Sequence, residues 1–228
     1  MNPAEFRLVV ASGPTREWID PVRFISNPST GQTGWSLATS GVGRFREVVF
    51  ISGPGLEEYR TVEGARNVLV DTTAEMTSAV RDNVGDSCLL IMSAAPADYT
   101  PATPETQKIK KKSGEPYTLI LAPTTDILKS LIPIAAAWPA FYRVGFAAET
   151  KNMHEYALRK LEEKELDFIC ANQVYKSETG FGNNPNTLVV IDRAGETTKI
   201  GPATKDDLAS RLLDHIVAKI PAKNQAVI

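Results

Sequence analysis

Six short, almost unbroken apolar runs, separated by helix-forming stretches, constrain the fold of this chain more than any other feature. They are RLVVAS (7–12), EVVFIS (47–52), NVLVD (67–71), CLLIMSA (88–94), YRVGFA (142–147) and DFICAN (167–172). A strand that is apolar at successive positions must be covered on both faces, and such strands belong to parallel sheets flanked by helices. The pattern therefore predicts an α/β fold: an open, doubly wound, mostly parallel, Rossmann-like sheet. Helix starts agree, because Thr72 with Glu75 and Thr204 with Asp207 have capping-box spacing. Leu208, Leu212 and Ile216 then form an apolar stripe at i, i+4 and i+8. Two stretches break the alternation. Residues 99–123 hold prolines at 101, 104 and 116, a lysine cluster and the strand-like YTLILA. Residues 173–201 hold TGFGNNPN, then TLVVID and TTKIG, which read as a hairpin outside the sheet. A single domain over 1–228 with insertions at about 99–123 and 173–201 is expected.

Composition removes several function classes. With 228 residues, a net charge of −2 and a pI near 5.8, the chain lacks the overall basic footprint of a nucleic-acid or anionic-membrane binder, so a basic site must be local. Its two cysteines, Cys88 and Cys170, sit inside apolar runs, where a thiol is a small buried hydrophobe. Two histidines, His154 and His215, on separate expected helices leave little material for a His/Cys zinc site or a serine triad. No run approaches the 18 or so apolar residues that span a bilayer, and the amino terminus does not read as a signal peptide, so the cytoplasm is expected.

Several constellations could carry chemistry. After the first strand comes SGPTREWIDPVRFISNPSTGQTG (12–34), which leads into a helix near Thr33. Small residues there can offer backbone N–H groups to a phosphate, or simply build a tight turn. The GxGxxG spacing of dinucleotide sites is missing, and the second strand ends in Ser52 and Gly53 without a ribose-binding acid. Asp98, just past the fourth strand, suits Mg²⁺ or a sugar hydroxyl; it equally suits a loop cap. Lys108, Lys110, Lys111 and Lys112 read as a solvated face, a nucleic-acid patch, or a strand whose alternation turns Lys108 and Lys110 toward a pocket. Lys160 and Lys164 share a helix face at i, i+4, as charged surface residues or as a pair for one polyanion.

Taken in order, SGPTREWIDPVRFISNPSTGQTG (12–34), SAAPADYTP (93–101), KIKKK (108–112), GFAAET (145–150) and DFICANQV with the later GFG (167–174, 180–182) resemble phosphopantothenoylcysteine synthetase. In many bacteria this enzyme is the carboxyl-terminal half of a bifunctional flavoprotein of coenzyme A biosynthesis. The resemblance covers about residues 7–218. It implies a homodimer and a two-step ligation in which 4'-phosphopantothenate attacks the α-phosphate of a nucleoside triphosphate, commonly CTP, with Mg²⁺. L-cysteine then displaces the nucleotide from the acyl intermediate. By motif position, Lys108 contacts the triphosphate and assists acyl nucleotide formation. Asn27 holds the acyl intermediate, with Arg23 contributing to the same loop. Asp98, Thr125, Asp126, Ile127, Leu128 and Phe146 bind the nucleotide, and Lys160 and Lys164 contact it and discriminate its base. Ala95 falls among the substrate-binding positions, and Asn172 orders the site. The chain departs from the family pattern at Thr30, Pro96 and Gln173. The flavin-binding half is missing from the sequence, so a stand-alone, flavin-free synthetase is expected.

Two other classes compete. An NAD(P)-dependent or nucleotide-sugar oxidoreductase could use a similar sheet, but the absent fingerprint and acid count against it. A module binding nucleic acid or an anionic partner through KIKKK is weakened by the net acidity and the lack of interleaved aromatics.

Overall fold

A computed structural model describes residues 1–111, 114–149, 153–173 and 186–221. Each of the six apolar runs forms a strand of one sheet: β1 (Arg7–Ser12), β4 (Glu47–Ser52), β5 (Arg66–Leu69), β6 (Cys88–Met92), β9 (Phe141–Glu149) and β10 (Phe168–Gln173). They are parallel in the order β5-β4-β1-β6-β9-β10. Chain order thus reverses direction at the β1/β6 boundary.

The sheet is covered on both faces, as the continuous apolar runs require. Leu8, Val10, Leu89 and Ile91 face one core with Leu37 of α1 (Gln32–Gly41) and with Leu208, Leu212 and Ile216 of α6 (Lys205–Lys219). Val9, Ala11, Leu90 and Met92 face the other, against Met76 and Val80 of α2 (Thr73–Asn83), Ile127 and Leu128 of α3 (Ile127–Ser130), and Ala157 and Leu161 of α5 (Met153–Glu163). The short α4 (Ile132–Ala135) follows α3. Both predicted caps form, with Thr72 accepting from the Glu75 amide and Thr204 from the Asp207 amide.

The structure corrects two expectations. The hairpin β11 (Asn186–Asp192) and β12 (Thr197–Ala203) does not lie outside the sheet: β11 pairs antiparallel with β10, and β12 forms the sheet edge. Its inward residues Leu188, Val190 and Ile200 join the core, so the hairpin has the same hydrophobic reason to stay as any central strand. The YTLILA run contributes only β8 (Leu121–Pro123), paired with β7 (Tyr99–Pro101), and the lysine segment before it is irregular. A further hairpin, unread in the sequence, is formed by β2 (Arg16–Asp20) and β3 (Arg23–Ser26). Among the described residues, no helix is long and apolar enough to cross a membrane.

Candidate active site

In an open α/β sheet the crevice outside the carboxyl ends of the strands, where strand order reverses, is the usual ligand position. Here the loops leaving β1 and β6 meet at that point through a bridge between Pro14 and Ala95. The start of α1 is seated directly on the strand ends. Ser12 Oγ donates to Gly31 O at 2.8 Å, and Gly31 turns the chain at a φ of 84°. A Cβ at Gly34 would stand 2.3 Å from Ser12 Oγ and 2.6 Å from Ser93 Oγ, so only glycine allows this approach.

The two helix starts nearest the crevice differ in what they can still bind. At α2, the Glu17 carboxylate accepts from the Thr73 amide at 2.9 Å and from its hydroxyl at 2.7 Å. Behind it runs a buried relay: the Ala97 amide donates to Thr15 Oγ1 at 2.9 Å, and Thr15 and Thr73 hydroxyls bond at 2.8 Å. The protein's own acid therefore occupies the positive end of that helix. Gly31, the N-cap of α1, has no side chain to offer, and Thr30 Oγ1 accepts only from the Gln32 amide, at 3.3 Å, so the Thr33 and Gly34 amides of the first turn remain available to an anion.

Beside this helix start, on the α2/α5 face, lies a cavity of about 230 Å³. It gathers Asp98, Thr125, Asp126, Ile127, Leu128, Phe146 and Lys164, positions drawn from four separate stretches of sequence. Asp126 caps α3 through the Lys129 amide and pairs with Lys164 Nζ at 3.0 Å. Lys164 is held by a buried arginine: Arg143, 3% exposed, donates to the carbonyls of Lys164 at 3.3 Å and Glu165 at 2.5 Å. Thr124 fixes the adjoining turn by donating to Ala97 O at 2.6 Å. Asp98 is exposed at the cavity.

Other expected residues fall around this cavity. Asn27 donates to the carbonyls of Ala95 (3.2 Å) and Pro96 (3.0 Å), which ties its loop to the cavity rim. Lys108 is exposed and lines neither this cavity nor its neighbours, contrary to the alternation expected of an extended strand. Lys110 and Lys111 instead line a separate surface cavity with Arg23 and Tyr117, because the segment is irregular. Arg23 is engaged with Asp20 and with Ile109 O at 2.9 Å, so it anchors the lysine segment. Lys160 does not line the cavity that holds Lys164, although the two lie one turn apart. Lys112, the GFG at 180–182 and the side chain of Asn172 lie outside the described residues.

Glu17, Thr15 and Thr73 were missed in the sequence. Asp20-Pro21 was the available signal for the β2–β3 hairpin, since Asp20 Oδ1 accepts from the Val22 and Arg23 amides, a turn that Asp followed by Pro favours. Burial raises the Cys88 thiol to about 12 and pushes that of Cys170 higher still, so neither is poised as a nucleophile. Among the described residues no group of three or more His, Cys, Asp or Glu could hold a metal ion.

A parallel sheet of this order, with an uncapped helix start and a polar cavity at its switch point, defines the chain as a Rossmann-like α/β protein. It belongs to the family described as DNA/pantothenate metabolism flavoprotein C-terminal domain, whose model matches residues 4–220. It is 38% identical over 221 residues to the coenzyme A biosynthesis bifunctional protein CoaBC of Escherichia coli K12, covering 96% of this chain and 53% of that protein. With the Bacillus subtilis protein of the same name the identity is 39% over 212 residues, covering 92% of this chain and 51% of the relative. The chain thus spans about half the length of these relatives. Among solved structures, the C-terminal domain of a CoaBC protein superposes with a TM-score of 0.75 at 32% identity, covering 95% of this chain and 96% of that one.

Proposed function

We propose that the protein is a phosphopantothenate–cysteine ligase of coenzyme A biosynthesis that uses CTP. The observation that carries this reading is the single cavity uniting Asp98, the 125–128 turn, Phe146 and Lys164 beside an uncapped helix start. Membership of a pantothenate-metabolism family and the names of its relatives support it. The base and sugar would lie among Phe146, the 125–128 turn and Lys164, with the phosphates toward α1. The carboxylate of 4'-phosphopantothenate attacks the α-phosphorus and pyrophosphate leaves; the amine of L-cysteine then displaces the nucleoside monophosphate and forms the amide.

The residues supply orientation and charge. Two anions meet and negative charge shifts onto the departing pyrophosphate, so the α1 N–H groups and Lys108, brought over the cavity, would stabilise it. Asn27, on the rim, would hold the acyl intermediate. Mg²⁺ would neutralise phosphate charge, and the donor set fits it: one exposed carboxylate, Asp98, beside triphosphate oxygens and water suits an ion that keeps much of its hydration. No flavin is needed. A cytoplasmic homodimer completes the reading, supported by Phe24, Tyr99, Ile120 and Leu121, large apolar residues exposed on or beside the two small hairpins.

The test is pyrophosphate release from 4'-phosphopantothenate with CTP or ATP, with and without cysteine, in Mg²⁺. Release with CTP is expected to exceed that with ATP at equal concentration; no release with either triphosphate would overturn the ligase reading. In the same assay Lys108→Ala should abolish activation, whereas Asn27→Ala should accumulate acyl nucleotide and stall before the amide.

A further inference from the structure

On the opposite face of the sheet, between α1 and α6, lies a second cavity of about 60 Å³. It shares Phe146 with the larger one, so the two open side by side at the carboxyl edge of β9. This is the same edge at which α1 and α6 begin and from which β11 runs back. It is too small for a nucleoside, but with room for about four or five water-sized groups it is of the order of a small amino acid.

Its polar groups are unusual for a core pocket. Lys205 is half-buried, and its ammonium donates to the neutral amide oxygen of Gln32 at 2.8 Å. Among the described residues no carboxylate pairs with it; the neighbouring Asp206 accepts from Ser36 Oγ at 2.6 Å instead. Burial lowers its pKa. A desolvated cation beside the positive end of α1 is costly unless an anion joins it. Across the cavity Asn186 is 7% exposed, and its side-chain oxygen has no hydrogen-bond donor among the described residues. The remaining wall is apolar, with Leu37, Leu208 and Leu212.

A cation without an anion, an acceptor without a donor and an apolar wall together match the three parts of one small α-amino acid. We propose that this cavity is the subsite for the amino-acid substrate: Lys205 takes the α-carboxylate, Asn186 accepts from the α-amine, and the leucine wall takes the thiol side chain. An inorganic anion would use only Lys205 and leave Asn186 and the apolar wall unmatched. Asn186 suits the chemistry, because a neutral amide acceptor does not favour protonation as a carboxylate would, and the amine keeps its lone pair for the acyl phosphate. The shared Phe146 places this amine next to the cavity where the acyl nucleotide would form. The proposal rests on the ligase reading and deepens it.

Cysteamine, which has the amine and thiol of cysteine but no carboxylate, separates the contributions. In the unmodified protein KM for cysteamine should exceed that for L-cysteine by about 10–100-fold, the range for a charge-assisted bond. Lys205→Met should raise KM for cysteine by a similar factor, leave KM for cysteamine in place, and keep the rate of acyl nucleotide formation measured without thiol. Equal KM values for the two amines in the unmodified protein, or a variant that changes both alike or neither, would overturn the subsite. Failure of the unmodified protein to form acyl nucleotide would instead remove the ligase reading itself.

Discussion

Asp20 has no exposed side-chain surface and five donors: the amides of Val22, Arg23 and Ile109, and two nitrogens of Arg23. The Arg23 guanidinium, more than any other neighbour, holds its carboxyl well below the usual carboxylate range. A carboxylate shifted down contributes its stabilisation above its ordinary pKa of about 4 and loses it as the pH falls toward the depressed folded value. The lysine segment is tied to this residue through the Ile109 amide. It should therefore come loose in acid. Amide-exchange protection at Ile109 is expected to be high at neutral pH and to fall below about pH 4, whereas Asp20→Asn should be poorly protected throughout. Persistent protection in that variant would show that Asp20 does not hold the segment. The same geometry changes the meaning of Arg23, whose guanidinium anchors the chain that carries Lys108.

At the scale of elements, the seating of α1 decides what the site can bind. Ser12, Ser93 and Gly34 bring the helix start onto the ends of β1 and β6 with no room for a methyl group. Gly34→Ala must push the helix away, an overpacking cost of about 1–3 kcal/mol. For a chain of this size the midpoint of thermal unfolding should fall by roughly 2–12 °C. Affinity for the triphosphate should fall with it, because the first-turn N–H groups move; unchanged affinity would remove α1 from the phosphate site. The end of α5 is equally specific. Helical spacing made Lys160 and Lys164 equivalent, but the helix stops at Glu163, and Arg143 clamps the carbonyls that follow. Lys164 is thereby turned to Asp126 and the cavity.

At the scale of the molecule, both apolar cores are faces of one eight-stranded sheet, and the β11–β12 hairpin completes it. Neither face can be exposed without the other, so we expect one cooperative unit. Calorimetry should show a single transition whose van't Hoff and calorimetric enthalpies agree; two resolved transitions would mean that the hairpin or the 99–123 region unfolds alone.

The sequence by itself determined the layered α/β sheet and the helix caps, because continuous apolar runs and capping pairs are local patterns with one cheap solution in water. It also carried the motifs whose resemblance named the family. Only the tertiary structure decided that Glu17 fills the start of α2 while α1 stays open, that Lys164 and not Lys160 reaches the cavity, and that Lys205 and Asn186 face one small pocket. These outcomes turn on which buried polar group finds a partner across the fold. Such partners stand 56 residues apart for Glu17 and Thr73, and 173 for Gln32 and Lys205, beyond the reach of any local pattern.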